Sequence, residues 1–125
     1  MPVIAAGDVI HVMANFVTPR KTKYLLCVCP QRIKYFVINT APYILAMDAQ
    51  FALKKAAAPW LDYDSWIDTS KLLTLTAMET QYVVDADPRC HRGVLPAEVR
   101  QAIKAFVGGH RIMPKDQMSI VGQSL

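Results

Sequence analysis

At 125 residues the chain is long enough to bury one hydrophobic core without disulfide or metal staples, and too short for two ordinary domains. A hydrophobic fraction of 53% with 19% charged residues excludes a disordered chain, and the longest apolar runs, such as Leu25 to Val28, are too short to span a bilayer. The formal net charge of +4 permits an anionic partner without requiring one.

No basic start followed by an apolar stretch and a small-residue cleavage site opens the chain, so no signal peptide is expected. The three cysteines are Cys27, Cys29 and Cys90, an odd number with two of them one residue apart. That usage suits reduced thiols better than a disulfide framework, and the expected compartment is the cytoplasm.

In chain order, Met1 to Ala6 leads in, Gly7-Asp8 signals a turn, and Val9 to Met13 reads as a first strand. Asn15 to Thr22 is polar and basic and contains Pro19, which predicts a loop. Lys23 to Cys29 is rich in apolar, aromatic and β-branched residues and ends at Pro30; with Ile33 to Thr40 it predicts a hairpin around Gln31-Arg32. The consecutive apolar pairs Leu25-Leu26 and Val37-Ile38 imply strands buried on both faces.

Tyr43 to Ala58 supports two readings: an Ala-rich helix capped by Asp48, or a strand at Gln50 to Lys54 followed by a loop. Trp66 to Thr69, Leu72 to Leu75 and Tyr82 to Val84 each suggest a short strand, the last before a turn at Asp87-Pro88. Pro96 to Val107 is the clearest element, an amphipathic helix. Pro96 suits its first position and Glu98 its first turn, while Val99, Ala102, Ile103, Phe106 and Val107 form one apolar stripe. Arg100, Gln101 and Lys104 face away, and Gly108-Gly109 should stop the helix. A partly mobile tail is expected over 114–125. Many short strands with one late helix predict a single, mainly β (α+β) domain over 1–125: a small curved antiparallel sheet or barrel carrying the helix at 96–107.

Candidate chemistry is sparse. Cys27 and Cys29 alternate along a strand and should share a face, but Cys90-His91 is the only obvious second pair, so small buried hydrophobes are the plainer reading and no metal or cofactor is expected. Asp62, Asp64 and Asp68 lack the glycine and glutamate of a calcium loop and read as turn caps. His11, His91 and His110 titrate in the useful range but sit in no motif. Arg20, Lys21, Lys23, Arg32 and Lys34 flank the hairpin and its leading loop. On a curved sheet they could line one groove that holds phosphates, with Tyr24, Tyr35 or Tyr43 stacking on unpaired bases; a solvated basic loop beside core aromatics is the alternative.

Three blocks in order resemble the MazF/PemK-like toxins of type II toxin–antitoxin systems. They are Gly7-Asp8-Val9-Ile10; Lys23 to Pro30 followed by Phe36-Val37-Ile38-Asn39-Thr40; and Asp64-Ser65-Trp66-Ile67-Asp68-Thr69-Ser70-Lys71-Leu72. Gly93-Val94-Leu95-Pro96 and the helix are similar to the family's late Gly-x-Leu and closing helix, so the resemblance spans most of residues 7 to 107. It implies an SH3-like barrel, a homodimer, and a metal-independent endoribonuclease that cleaves single-stranded RNA and is blocked by a cognate antitoxin protein. It also favours the strand at Gln50 to Lys54.

Carried over by position, the family's catalytic arginine falls on Lys23 and its catalytic Thr/Ser on Thr40; the basic residues Arg20, Lys21, Arg32 and Lys34 around the hairpin are the expected RNA contacts. Lysine lacks arginine's bidentate fork, and Tyr24 stands in place of the usual proline. These departures give a second expectation, a non-catalytic SH3-like module that binds nucleic acid or a protein partner.

Overall fold

The computed structural model describes residues 4–14, 21–75, 91–110 and 112–125, with the backbone alone at 13, 14, 21 and 22. Six strands, β1 (Asp8–Ala14), β2 (Lys21–Cys29), β3 (Lys34–Asn39), β4 (Gln50–Leu53), β5 (Ser65–Thr74) and β6 (His91–Val94), form one sheet in the order β4-β5-β3-β2-β1-β6. Every neighbouring pair is antiparallel. Two helices follow, α1 (Ala97–His110) and α2 (Lys115–Ser124), and a short 3-10 helix over Ile44–Ala49 leads into β4. The protein is therefore α+β. Among the described residues no pairing joins the end strands β4 and β6. No helix among them is long and apolar enough to cross a membrane.

The doubly apolar strands have the burial that their sequence implies. Leu25 and Leu26 are both fully buried, on opposite faces of β2. One face carries Val9, Leu26, Phe36, Ile38 and Ile67 and is covered by Ile103 and Val107 of α1 and Ile120 and Val121 of α2. The other carries Ile10, Val12, Leu25, Cys27 and Tyr35, with Val37 and Leu73 packed against them. Each buried aliphatic of this kind is worth about 1.5–3 kcal/mol relative to exposure. Truncating Ile103, a fully buried residue of α1, would cost about 2–5 kcal/mol.

The hairpin of β2 and β3 pairs Tyr24 with Ile38 and Leu26 with Phe36. Its turn holds Ile33 at φ 57, a left-handed position that costs a β-branched residue about 1–3 kcal/mol; the Ile33 carbonyl accepts the Leu75 N–H at 3.1 Å, which ties the strained residue to the end of β5. Gly7, at φ 93, closes the entry to β1. A Cβ there would lie 2.8 Å from both Cδ and Nη1 of Arg100.

Several sequence expectations are corrected. The register slips between Cys27 and Cys29, so Cys27 joins one core cluster and Cys29 the other instead of sharing a face. The two segments Trp66 to Thr69 and Leu72 to Leu75 are one ten-residue strand, β5, whose irregular pairing with β3 falls between Tyr35 and Val37. At 43–58 the strand reading holds: β4 spans Gln50–Leu53, and the 3-10 helix ends at Ala49. Gly108 and Gly109 do not stop α1. Both sit in open space, so the helix loses about 1 kcal/mol of propensity at each and continues to His110, whose ring Nδ1 accepts the Ile112 N–H at 2.9 Å. Arg100 does not simply face solvent; its Nη1 donates to the Ala6 carbonyl at 3.1 Å. The tail beyond 114 is α2, anchored by Ile120, Val121 and Leu125. The expected strand Tyr82 to Val84, the turn Asp87-Pro88 and Cys90 lie outside the described residues.

Candidate functional site

Strand register brings chemistry together at one end of the sheet. β1 and β2 pair His11 opposite Tyr24, and β2 and β3 pair Tyr24 opposite Ile38. Lys23 precedes Tyr24, and Thr40 follows the last residue of β3, so strands far apart in sequence deliver His11, Lys23, Tyr24 and Thr40 to one open cavity of about 240 Å³. Ile38 gives it an apolar wall, and the segment before β5 adds Asp62, Tyr63 and Ser65. Ser65 is buried and its Oγ donates to the Tyr63 carbonyl at 2.9 Å, which holds the exposed Tyr63 at the cavity.

Three of the cavity side chains, His11, Tyr24 and Lys23, are held by neighbouring groups. The rings of His11 and Tyr24 are stacked, centroids 4.3 Å apart and planes 15° apart. The Tyr24 hydroxyl donates to the Trp60 carbonyl at 3.4 Å, and the two aromatic rings are 5.6 Å apart. Trp60 in turn lies against β6 at Gly93, where a Cβ would meet its indole Nε1 at 2.4 Å. On Lys23, Nζ donates to Asn39 Oδ1 at 2.7 Å. Thr40 is exposed.

The electrostatics follow from partial burial. Burial holds the His11 imidazole below its ordinary value of 6.5, helped by the Arg92 guanidinium and opposed by the Asp62 carboxylate. Burial pushes the Tyr24 phenol up, Asp62 adds to this, and Arg92 opposes it. Near neutral pH the cavity thus holds a neutral imidazole, a protonated phenol, a lysine amine on a short hydrogen bond and a hydroxyl. That set can accept a proton, donate one and stabilise negative charge on phosphorus-bound oxygen.

The other sequence-derived candidates are dispersed. Arg32 is exposed at the hairpin turn, and Lys34 opens β3 with its Nζ donating to Thr74 Oγ1 at 2.5 Å. Five residue steps of strand, roughly 16 Å, separate Lys34 from Asn39 at the cavity end. Arg20 and the Lys21 side chain lie outside the described residues. Of the three aspartates, Asp64 accepts the Lys55 N–H at 2.7 Å, and Asp68 accepts from Gln50, the Ser70 N–H and the Ser70 hydroxyl; only Asp62 lines the cavity.

Sequence reasoning named Lys23 and Thr40 but gave His11 no role. Its signal was present in principle, because an alternating strand puts Val9 and His11 on one face. Knowing that His11 falls opposite Tyr24 needs the β1–β2 register, which no local pattern specifies. No protein-family model matches the chain, and no curated protein matches it either.

Proposed function

We propose that the protein is a toxin-like endoribonuclease that cleaves single-stranded RNA without a metal ion, on the SH3-like barrel that its resemblance to the MazF/PemK-like toxins implies. The observation that supports this most is that Lys23 and Thr40, the two positions where the family's catalytic residues fall, line the same open cavity. In the proposed reaction a ribose 2′-hydroxyl attacks the adjacent phosphorus. The ammonium of Lys23 stabilises the charge that builds on the phosphorane, and the Thr40 hydroxyl donates a hydrogen bond to a non-bridging oxygen. The exposed Tyr63 offers an aromatic face to an unpaired base. Arg20, Lys21, Arg32 and Lys34 remain the proposed contacts to RNA phosphates, on their charge alone.

A protein partner belongs to the same reading, and an apolar surface next to the site supports it. Tyr43, Ile44, Leu45 and Met47, just past Thr40, are all exposed, Ile44 and Leu45 at 81% and 85%. Gln50 holds this segment in place: its Oε1 accepts the Tyr43 N–H at 3.1 Å, and its Nε2 donates to the Ala46 carbonyl at 3.2 Å and to Asp68 at 3.0 Å. Such a surface suits the homodimer partner or the antitoxin.

Purified protein mixed with a pool of single-stranded RNA at neutral pH and without added metal tests the enzyme reading, which predicts cleavage. An intact pool that nonetheless binds, with affinity falling steeply with salt, would instead indicate the non-catalytic binding module.

A further inference from the structure

We infer that His11 is the general base of this cavity, accepting the proton of the attacking ribose 2′-hydroxyl. The inference rests on the ribonuclease reading and adds to it the proton acceptor that Lys23 and Thr40 do not provide.

The assignment follows by comparing the groups at the cavity. Attack by a neutral hydroxyl requires a neighbour that is unprotonated near neutral pH and still basic. A lysine ammonium has no lone pair, and the Thr40 and Ser65 hydroxyls are not basic. Tyr24 is pushed up, away from the anion it would need to be. Asp62 remains, but a carboxylate is a far weaker base than an imidazole, and proton-transfer catalysis favours the group that titrates nearest the working pH. His11 meets both requirements, and its ring is fixed by the Tyr24 stack at 4.3 Å, so little rotational freedom is lost when substrate arrives.

The charges around it also fit. Among the described residues, the charged or titratable groups at His11 are Lys23 and Tyr24 from β2, Asp62 and Tyr63 from the segment before β5, and Arg92 from β6; β3 contributes Ile38, and Thr40 follows it. Arg92 and burial keep the imidazole neutral and able to accept, while Asp62 favours the imidazolium once it forms. In the complete step, His11 takes the 2′-hydroxyl proton, the 2′-oxygen bonds to phosphorus, and the bond from phosphorus to the 5′-oxygen breaks. The leaving 5′-oxygen takes a proton from the Lys23 ammonium. The products are a 2′,3′-cyclic phosphate and a 5′-hydroxyl, and solvent carries the His11 proton back to Lys23.

The test is a pH–rate profile of the full chain on a single-stranded RNA oligonucleotide. Wild type should rise with pH and level off at an apparent pKa below the ordinary 6.5 of histidine. H11Q should lower kcat by about 10²–10⁴-fold and abolish that limb. Binding of the same oligonucleotide with 2′-O-methyl riboses should stay within a few-fold of wild type. The surface variants D62N and R92Q do not depend on H11Q folding: the limb should move to lower pH in D62N and to higher pH in R92Q, opposite shifts that a merely structural His11 would not produce. An H11Q enzyme with near wild-type rate and an unchanged limb, or a limb unmoved in both charge variants, overturns the assignment while the ribonuclease reading stands. A wild-type protein that cleaves no RNA overturns both.

Discussion

The Nζ of Lys23 donates to Oδ1 of Asn39 across 2.7 Å, from the strand β2 to the strand β3 beside it. The bond fixes a long, flexible side chain at the edge of the cavity and offsets one disadvantage of lysine, which lacks the planar fork that orients arginine on phosphate. K23A should therefore lose about 10²–10³-fold in kcat, the usual cost of removing a group aimed at developing charge. N39A keeps the amine but removes this hydrogen bond, and should lose roughly 10–100-fold. In both variants affinity for an uncleavable RNA, read by fluorescence anisotropy, should change by only a few-fold.

Gly93 has no room for a side chain. A Cβ would sit 2.4 Å from Nε1 and 2.5 Å from Cδ1 of the Trp60 indole. G93A should cost about 1–3 kcal/mol in urea denaturation and shift the tryptophan emission as the indole moves. Because Trp60 supports Tyr24, and Tyr24 the His11 ring, the same substitution should lower activity without touching any group in the proposed reaction.

Stability should depend on pH through His110. Its Nδ1 accepts the Ile112 N–H, so the neutral ring carries its proton on Nε2 and donates it to Thr69 Oγ1 at 2.9 Å; the Thr69 hydroxyl donates in turn to the Ala49 carbonyl at 2.6 Å. Burial holds the imidazole below its ordinary 6.5, with Asp48 opposing. Above that value both folded and unfolded chains are neutral at His110 and its contribution is complete. As pH falls through 6.5 the unfolded chain takes up the proton first, so stability declines until the folded ring also protonates. His11 contributes with the same sign. Urea midpoints between pH 7.5 and 5 should fall less steeply in H110Q than in wild type. T69V, which leaves the buried Ala49 carbonyl and the His110 N–H without this partner, should cost about 1–3 kcal/mol at pH 7.5.

The apolar segment past Thr40 gives a prediction about assembly. Ile44 and Leu45 are exposed at 81% and 85%, so changing Leu45 to aspartate should alter monomer stability by no more than about 0.5 kcal/mol. In sedimentation velocity, wild type should run as a dimer and L45D as a monomer. If both sediment alike, this surface does not carry self-association.

How far the sequence could be read depended on the range of the interaction. The hairpin around Gln31-Arg32 was legible because two apolar runs and Pro30 mark it locally, and the stripe from Val99 to Val107 because helical spacing repeats within a dozen residues. The extension of α1 past Gly108-Gly109 was not, since a His110 ring bonded to both Ile112 and Thr69 outweighs a weak local preference. α2 has Pro114 before it but no strong apolar repeat; its burial depends on the sheet face beneath it. At the site, Lys23 and Thr40 stood out through the order of sequence blocks. His11 did not, because it comes to face Tyr24 only once β1 has paired with β2 in the observed register.

The most direct test of the central claim is cleavage of one single-stranded RNA oligonucleotide in the presence of a metal chelator, with product ends read by mass spectrometry. Wild type should cut it to a 2′,3′-cyclic phosphate and a 5′-hydroxyl. A single 2′-deoxy sugar at the cut site should block the cut, and K23A and T40A should cut the oligonucleotide far more slowly than wild type. Cleavage that persists at the 2′-deoxy site, or is undiminished in K23A and T40A, or is absent from wild type, would contradict the account.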